Sequence, residues 1–344
     1  MSLSNLPSTS SCQDGDRLTV THLSQTRPNP SSVGADVRQG LQQIPKTLPA
    51  QYFYDDRGSQ LFEQICDLPE YYPTRTEASI LQTAAPEIAS LTGNSELVEL
   101  GSGSSTKTRL LLDAYCQSLT PKQSSVIYRA IDVSGGMLQQ SAKTLLNDYP
   151  PLRVQGLVGT YEQALDHLPP TETENRLLLF LGSTLGNLKP QACQQFLQRV
   201  SQALHPGDYF LLGIDLAKSK SILEAAYNDA QGVTAEFNLN MLAHLNRRFE
   251  GNFNLDQFEH WAFFNEKDSQ IEMHLRSQVS QSVTLRQLDL SLELAQGETI
   301  QTEISRKFKY PDIVESLNQV KLETVHRWSD PQNWFAVLLT RRCP

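Results

Sequence analysis

The chain has 344 residues, with 29 Lys and Arg against 38 Asp and Glu and a formal net charge of -9. At 39% hydrophobic and 19% charged, with 18 Gly and 18 Pro, it is globular, neither collagenous nor coiled-coil nor wholly disordered, and long enough for about two domains of roughly 150 residues. The acidity, without any Lys/Arg block to neutralise phosphates, excludes duplex nucleic acid as the main partner, and no apolar run reaches the roughly 18 residues of a membrane span.

Five cysteines, at positions 12, 66, 116, 193 and 343, form no C-x-x-C pair and no even framework. Free thiols in a reducing compartment follow. Met1 to Asp16 has neither the basic start nor the apolar stretch of a secretion signal, so a soluble cytoplasmic protein is expected. The opening stretch is rich in Ser, Asn, Pro and Gln and cannot bury enough apolar surface to offset its ordering entropy, which predicts a disordered tail over 1–17.

From Lys46 to Leu68 come the aromatics Tyr52, Phe53 and Tyr54, a turn at Asp56-Arg57-Gly58, and Leu61, Phe62, Ile65 and Leu68 at helical spacing. Thr74 after Pro73, with Glu77 three residues on, reads as a capping box for a helix using Ile80, Leu81, Ala84 and Ile88. Short apolar runs then predict strands at Leu97 to Leu100, Val126 to Ile131, Val154 to Val158, Leu177 to Leu181 and Tyr209 to Ile214. Helices are predicted between them, near Lys107 to Tyr115, Met137 to Asn147, Glu162 to His167 and Gln191 to Leu204. Alternation of this kind predicts an α/β, doubly wound parallel sheet. Beyond it lie helical segments at Lys220 to Ala230 and Val233 to Arg248, then period-2 stretches from Phe258 to Lys307. A helix near Pro311 to Leu317 and strands at Lys321 to Trp328 and Trp334 to Thr340 close the chain.

The loop Glu99-Leu100-Gly101-Ser102-Gly103-Ser104-Ser105-Thr106-Lys107 joins a strand to a helix, where glycine admits a ligand to the backbone amides. A dinucleotide fingerprint needs a third glycine where Thr106 stands. A Walker A loop fits Gly101, Lys107 and Thr108 but again not Thr106, with Leu211 to Asp215 as a possible Walker B strand. S-adenosylmethionine, cationic and without phosphate, suits Glu99 ahead of the loop, with Asp132 at the end of the next strand to accept ribose hydroxyls. A bare tight turn at Gly101 and Gly103 is the remaining alternative; with Glu99 and Asp132 added, the methyl-donor reading leads.

The fourth strand ends in Gly182-Ser183-Thr184-Leu185-Gly186-Asn187, where Asn187 offers both a donor and an acceptor to an amino acid, or else caps the next helix. Glu303 and Ser305 stand two apart, so on a strand they share a face, either gripping a ring with two nitrogens or simply facing solvent. Met273 and the tyrosines Tyr54, Tyr71, Tyr72 and Tyr227 read equally as packing residues. The seven histidines show no metal-ligand spacing, so no metal is expected.

Tyr52-Phe53-Tyr54-Asp55, Leu68-Pro69-Glu70-Tyr71-Tyr72-Pro73-Thr74-Arg75-Thr76-Glu77, Glu99-Leu100-Gly101-Ser102-Gly103, Gly182 to Asn187, Ala226-Tyr227, Gly232 to Asn238, Ile271-Glu272-Met273 and Thr302 to Phe308 together resemble one family, the ergothioneine-pathway histidine Nα-methyltransferases. The resemblance runs from about Lys46 to the end. It implies trimethylation of the L-histidine α-amine by S-adenosylmethionine to give hercynine, on a class I, Rossmann-like methyltransferase fold with a second, α+β substrate-binding domain. It divides the chain into a histidine-binding domain at 18–75 plus 216–305 and a methyltransferase domain at 76–215 plus 306–344. It implies Asn187 and Tyr227 at the amine and carboxylate, with Tyr54 nearby and Asn187 and Tyr54 in the catalytic role. Tyr71, Glu303 and Ser305 would read the imidazole, with Met273 shaping that pocket. Gly101, Lys107 and Asp132 would hold the cosubstrate, together with Thr160 and Tyr161, where the chain departs from the family's acidic residue and Phe. A monomer is expected, with L-histidine as its partner and neither nucleic acid nor membrane. The competing readings are a P-loop-like nucleotide-binding protein and an N-methyltransferase of another free amino acid.

Overall fold

The computed structural model describes residues 17–23, 33–103, 105–121 and 123–344. The expected disordered tail lies outside the described residues as far as residue 16. Its last member, Arg17, is described, and its guanidinium donates to the carbonyls of Leu146, Tyr149, Pro150 and Leu152.

The chain opens with β1 Leu18–His22, α1 Ala35–Gln42, β2 Lys46–Thr47, α2 Asp56–Asp67 and α3 Tyr72–Thr92. Strands and helices then alternate as β3 Ser95–Leu100, α4 Thr106–Gln117, β4 Val126–Asp132, α5 Gly135–Asp148, β5 Leu152–Val158, α6 Tyr161–Asp166, β6 Asn175–Phe180, α7 Pro190–Ala203 and β7 Tyr209–Asp215. After α8 Lys220–Ala225 and α9 Val233–Phe249 come β8 Phe258–Asn265, β9 Gln270–Ser277, β10 Gln281–Leu285, β11 Leu290–Leu294 and β12 Thr299–Arg306. The last elements are α10 Tyr310–Gln319, β13 Leu322–Ser329 and β14 Phe335–Arg342.

One eight-stranded sheet runs in the order β1-β5-β4-β3-β6-β7-β14-β13, parallel through β7 and antiparallel at β14 and β13. β3 and β7 are buried along their whole length, as strands covered by helices on both faces must be. Successive residues alternate between two apolar clusters: Leu177 and Leu179 pack with Ile80, Leu81 and Leu111, whereas Leu178 and Phe180 pack with Phe196, Leu197 and Leu317. After β5 the chain crosses to the far side of β3 to form β6, so the strand order reverses beside β3. The loops that follow β3 and β6 therefore flank a crevice at the carboxyl ends of the strands.

A second sheet, β2-β12-β9-β8, and the β10–β11 hairpin share a separate core with α1, α2 and α9, built on Leu41, Leu61, Ile65, Phe237, Met241, Leu245 and Ile271. The two units meet where β12 ends: Phe308 N donates to Asp215 O at 2.8 Å, and Ala217 N donates to Phe308 O at 2.9 Å. Four expectations change. β1 pairs with β5 at the edge of the large sheet, so Leu18–His22 is not part of a histidine-binding segment 18–75. Asp56-Arg57-Gly58 is the first turn of α2, not a turn before it, because the Asp55 side chain accepts from Gly58 N and caps the helix. No capping box forms at Thr74: α3 starts at Tyr72, Thr74 donates to Cys66 Sγ at 3.3 Å, and Glu77 is fully buried. α8 stops at Ala225, which leaves Tyr227 in a turn.

Candidate active site

The loop after β3 is held by its own backbone, with Gly101 N and Ser102 N both donating to Ile131 O, at 2.9 and 3.1 Å. Gly101 has φ +77°, and a Cβ there would stand 2.6 Å from the Tyr161 hydroxyl, so glycine is what lets that ring close over the loop. Asp132 accepts Gly103 N–H at Oδ2 (3.2 Å) and Ser134 N–H at Oδ1 (2.9 Å). A carboxylate has about four acceptor sites, so both oxygens keep capacity for a diol. Ser102 Oγ is buried without a hydrogen-bond partner among the described residues, an orphan that a ligand in the crevice would satisfy. Beneath the loop Glu99 accepts from the hydroxyls of Thr108 (2.6 Å) and Tyr128, and burial pushes its carboxyl up to about 7. Burial, with the Asp132 charge, also pushes the Tyr161 hydroxyl up to about 12.

Lys107 is already committed, its ammonium paired with the buried Glu77 carboxylate. Glu77 also accepts from Gly182 N, at 2.9 and 2.8 Å to its two oxygens, and so ties α3 and α4 to the loop after β6. The Thr160 side chain is likewise occupied: it accepts from Gln163 N in a capping box that opens α6. Asp215, the acid proposed for a Walker B strand, binds Tyr72, Lys218 and Lys307. A nucleotide-binding loop thus loses both its lysine and its acid, which removes the P-loop alternative.

Across the crevice the loop after β6 carries Asn187, whose Nδ2 donates to Glu303 Oε1 at 3.1 Å, so it is not a helix cap; Lys189 holds that position for α7. Gly186 makes the approach possible, because a Cβ there would meet Arg306 O at 2.8 Å on β12. Glu303 and Ser305 do share a face of β12, and Glu303 sits opposite Met273 on β9, which is buried. Burial pushes the Glu303 carboxyl up to about 7, opposed in part by the Lys307 ammonium. Tyr227 donates to Ser305 Oγ at 2.8 Å, and Tyr71 stands edge-on to the Tyr227 ring with centroids 6.1 Å apart. Tyr54 is 49% exposed, yet its hydroxyl is pushed well up by burial and by Glu303, Tyr161, Cys66 and Tyr227 around it. Its ring packs against Phe53, Phe62 and Phe237.

Behind this pocket lies a buried ionic cluster that periodicity did not reveal. Lys307 donates to Asp215 Oδ2 (2.8 Å), Ser305 Oγ (2.8 Å) and Tyr227 (3.2 Å), and Lys218 donates to Tyr72 at 2.7 Å as well as to Asp215. Burial works to raise Asp215, but the two ammonium groups hold its carboxyl below the usual range; burial pushes Lys218 down to about 8. Glu77, Asp215 and Lys307 are thus site residues that sequence reasoning missed. The available signals were an acid at the carboxyl end of β7 and a lysine two residues beyond Ser305 on one strand face. Among the described residues no group of three or more His, Cys, Asp or Glu is placed to hold a metal, and no helix is long and apolar enough to cross a membrane.

An open sheet of this strand order, whose first loop meets an acid at the end of the neighbouring strand, is a Rossmann-like nucleoside-binding fold, and the family match makes it a class I S-adenosylmethionine-dependent methyltransferase. The family of histidine-specific, S-adenosylmethionine-dependent methyltransferases matches residues 33–342, and the chain belongs to it. It is 44% identical over 309 residues to a histidine N-alpha-methyltransferase of Mycolicibacterium smegmatis, covering 89% of this chain and 94% of that one. The corresponding protein of Mycobacterium tuberculosis is 41% identical over 307 residues, with 89% and 94% covered. Ergothioneine biosynthesis protein 1 of Neurospora crassa is 37% identical over 205 residues, which is 59% of this chain and 23% of that protein.

Proposed function

We propose that this methyltransferase places three methyl groups on the α-amine of free L-histidine, giving hercynine for ergothioneine formation, as a cytoplasmic monomer that binds neither nucleic acid nor membrane. The observation that carries the reading is the pairing of Glu303 and Ser305 on one strand face with Asn187 bonded to Glu303, at the mouth of the methyl-donor crevice. Glu303 is suited to accept a ring N–H and Ser305 to serve the second ring nitrogen, while Asn187 and Tyr227 hold the amine and carboxylate end. Tyr71 and Met273 bound the ring pocket.

When bound, S-adenosylmethionine supplies an electrophilic methyl on a cationic sulfur. The orphaned Ser102 hydroxyl, the open capacity of Asp132 and the buried Glu99 beneath the loop suit a cationic nucleoside without phosphate. What the chain contributes is alignment: an amine held close and in line with the transferred group gains most of its rate from position. Tyr54, between the two halves, stays protonated through the working pH range and so orients the amine as a neutral hydroxyl, with the amine's protons lost to solvent. In domain terms the histidine-binding part is 33–75 plus 216–305, and the methyltransferase part is 18–22, 76–215 and 306–344.

Mass spectrometry after incubation with the methyl donor and a mixture of free amino acids tests this. Histidine carrying three added methyls is expected; methylation of another amino acid with histidine untouched would overturn the reading.

A further inference from the structure

An ammonium has three N–H donors, and Lys307 has three acceptors: Asp215 Oδ2, Tyr227 and Ser305 Oγ. Lys307 is 4% exposed and cannot turn to another partner. A serine hydroxyl has two lone pairs and one hydrogen. At Ser305 both lone pairs are filled, by Tyr227 and by Lys307, each at 2.8 Å. The remaining hydrogen of Ser305 therefore has to be given away, on the face it shares with Glu303.

We propose that Lys307 is a positioning residue that makes Ser305 an obligate donor, so that the pocket accepts only a neutral azole in one tautomer, with its N–H to Glu303 and its bare nitrogen to Ser305. This rests on the histidine reading of the same pocket. An imidazolium carries two N–H groups, and one of them would face the Ser305 proton with no lone pair to receive it. A ring with a nitrogen but no N–H leaves the Glu303 carboxylate with only its bond from Asn187 instead. Asp215 supports the arrangement by keeping Lys307 charged. The polar groups facing this pair are Asn187 after β6, Tyr54 before α2, Tyr71 before α3, Tyr227 after α8 and Lys307 beyond β12.

The test compares histidine with 1,2,4-triazol-3-ylalanine, whose ring has an N–H and a bare nitrogen but stays neutral, using the wild-type enzyme and S-adenosylmethionine from about pH 5.5 to about pH 8. Titration of the enzyme cancels in the ratio of the two kcat/KM values, which leaves the ring. Both compounds are expected to be methylated, with the histidine-to-triazole ratio falling about tenfold per pH unit below the imidazole pKa of about 6.5. A ratio that stays constant or rises in acid, or a triazole left unmethylated while histidine reacts, would overturn the proposal and leave the functional reading standing. No methylation of histidine at any pH would sink both. Lys307→Met leaves Asp215 paired with Lys218 and frees a lone pair on Ser305, so the pH dependence of the ratio is expected to flatten. A structural role alone would slow both substrates equally and keep the wild-type slope, which would refute the assignment of Lys307.

Discussion

Glu77→Gln tests whether the two halves of the donor crevice are held by one buried carboxylate. Glu77 sits in the space left by Gly213, where a Cβ would come within 1.8 Å of Oε1, and it has two donors, Gly182 N and the Lys107 ammonium. Glutamine fills the same volume, but its single oxygen serves only one of them. If that one is Gly182 N, the amide NH2 faces Lys107 and the lysine swings outward, since 23% of its side chain already reaches solvent. The loss is one charge-assisted bond, about 1.5–3 kcal/mol, plus the weakening of the other, for a total of about 2–4 kcal/mol. A Tm lowered on the order of 5 °C is expected. With both loops loosened, calorimetry should show S-adenosylhomocysteine binding about tenfold more weakly, equivalent to about 1.4 kcal/mol. Lys107→Met should cost more, about 3–5 kcal/mol, because it strands a buried charge, and adding Glu77→Gln to it should restore part of that loss. An unchanged Tm and unchanged affinity in Glu77→Gln would refute the strut.

Gly186→Ala should drive the loop after β6 off β12, given 2.8 Å to Arg306 O, costing about 1–3 kcal/mol and raising the KM for histidine in steady-state assays while donor affinity holds. Asp132→Ala should weaken donor binding by about 1.5–3 kcal/mol, read by calorimetry. Glu303→Ala should lower kcat/KM for histidine by roughly 10- to 10²-fold, the loss of one charge-assisted bond of about 1.5–3 kcal/mol, and adding Met273→Val should admit larger aromatic amino acids in a competition assay. Glu99, buried, has its carboxyl raised from 4.5 to about 7, so its own contribution to folding stability is full below about pH 4.5 and declines as pH rises towards 7, by roughly 3 kcal/mol. Glu99→Gln removes that titration, and its Tm measured between about pH 5 and pH 8 should lose this downward slope.

The alternation of strands and helices was legible in the chain itself, because a strand covered on both faces must be a continuous apolar run and an amphipathic helix must repeat near 3.6 residues. Glu303 and Ser305 were legible as a pair for the same local reason, a period of two on one strand. β1 was not: five residues at the edge of a sheet carry too little pattern to say which of two sheets they join. Nor did spacing reveal that Asn187 reaches Glu303 across 116 residues, or that Glu77, placed as if to cap a helix, would instead hold Gly182 105 residues away. Periodicity reports which face of an element is covered, and that was enough to place the crevice. A buried charge needs a partner, but which partner depends on where distant strands cross, so Glu77 with Lys107, Asp215 with Lys307, and the resulting polarity of Ser305 were decided only by the tertiary structure.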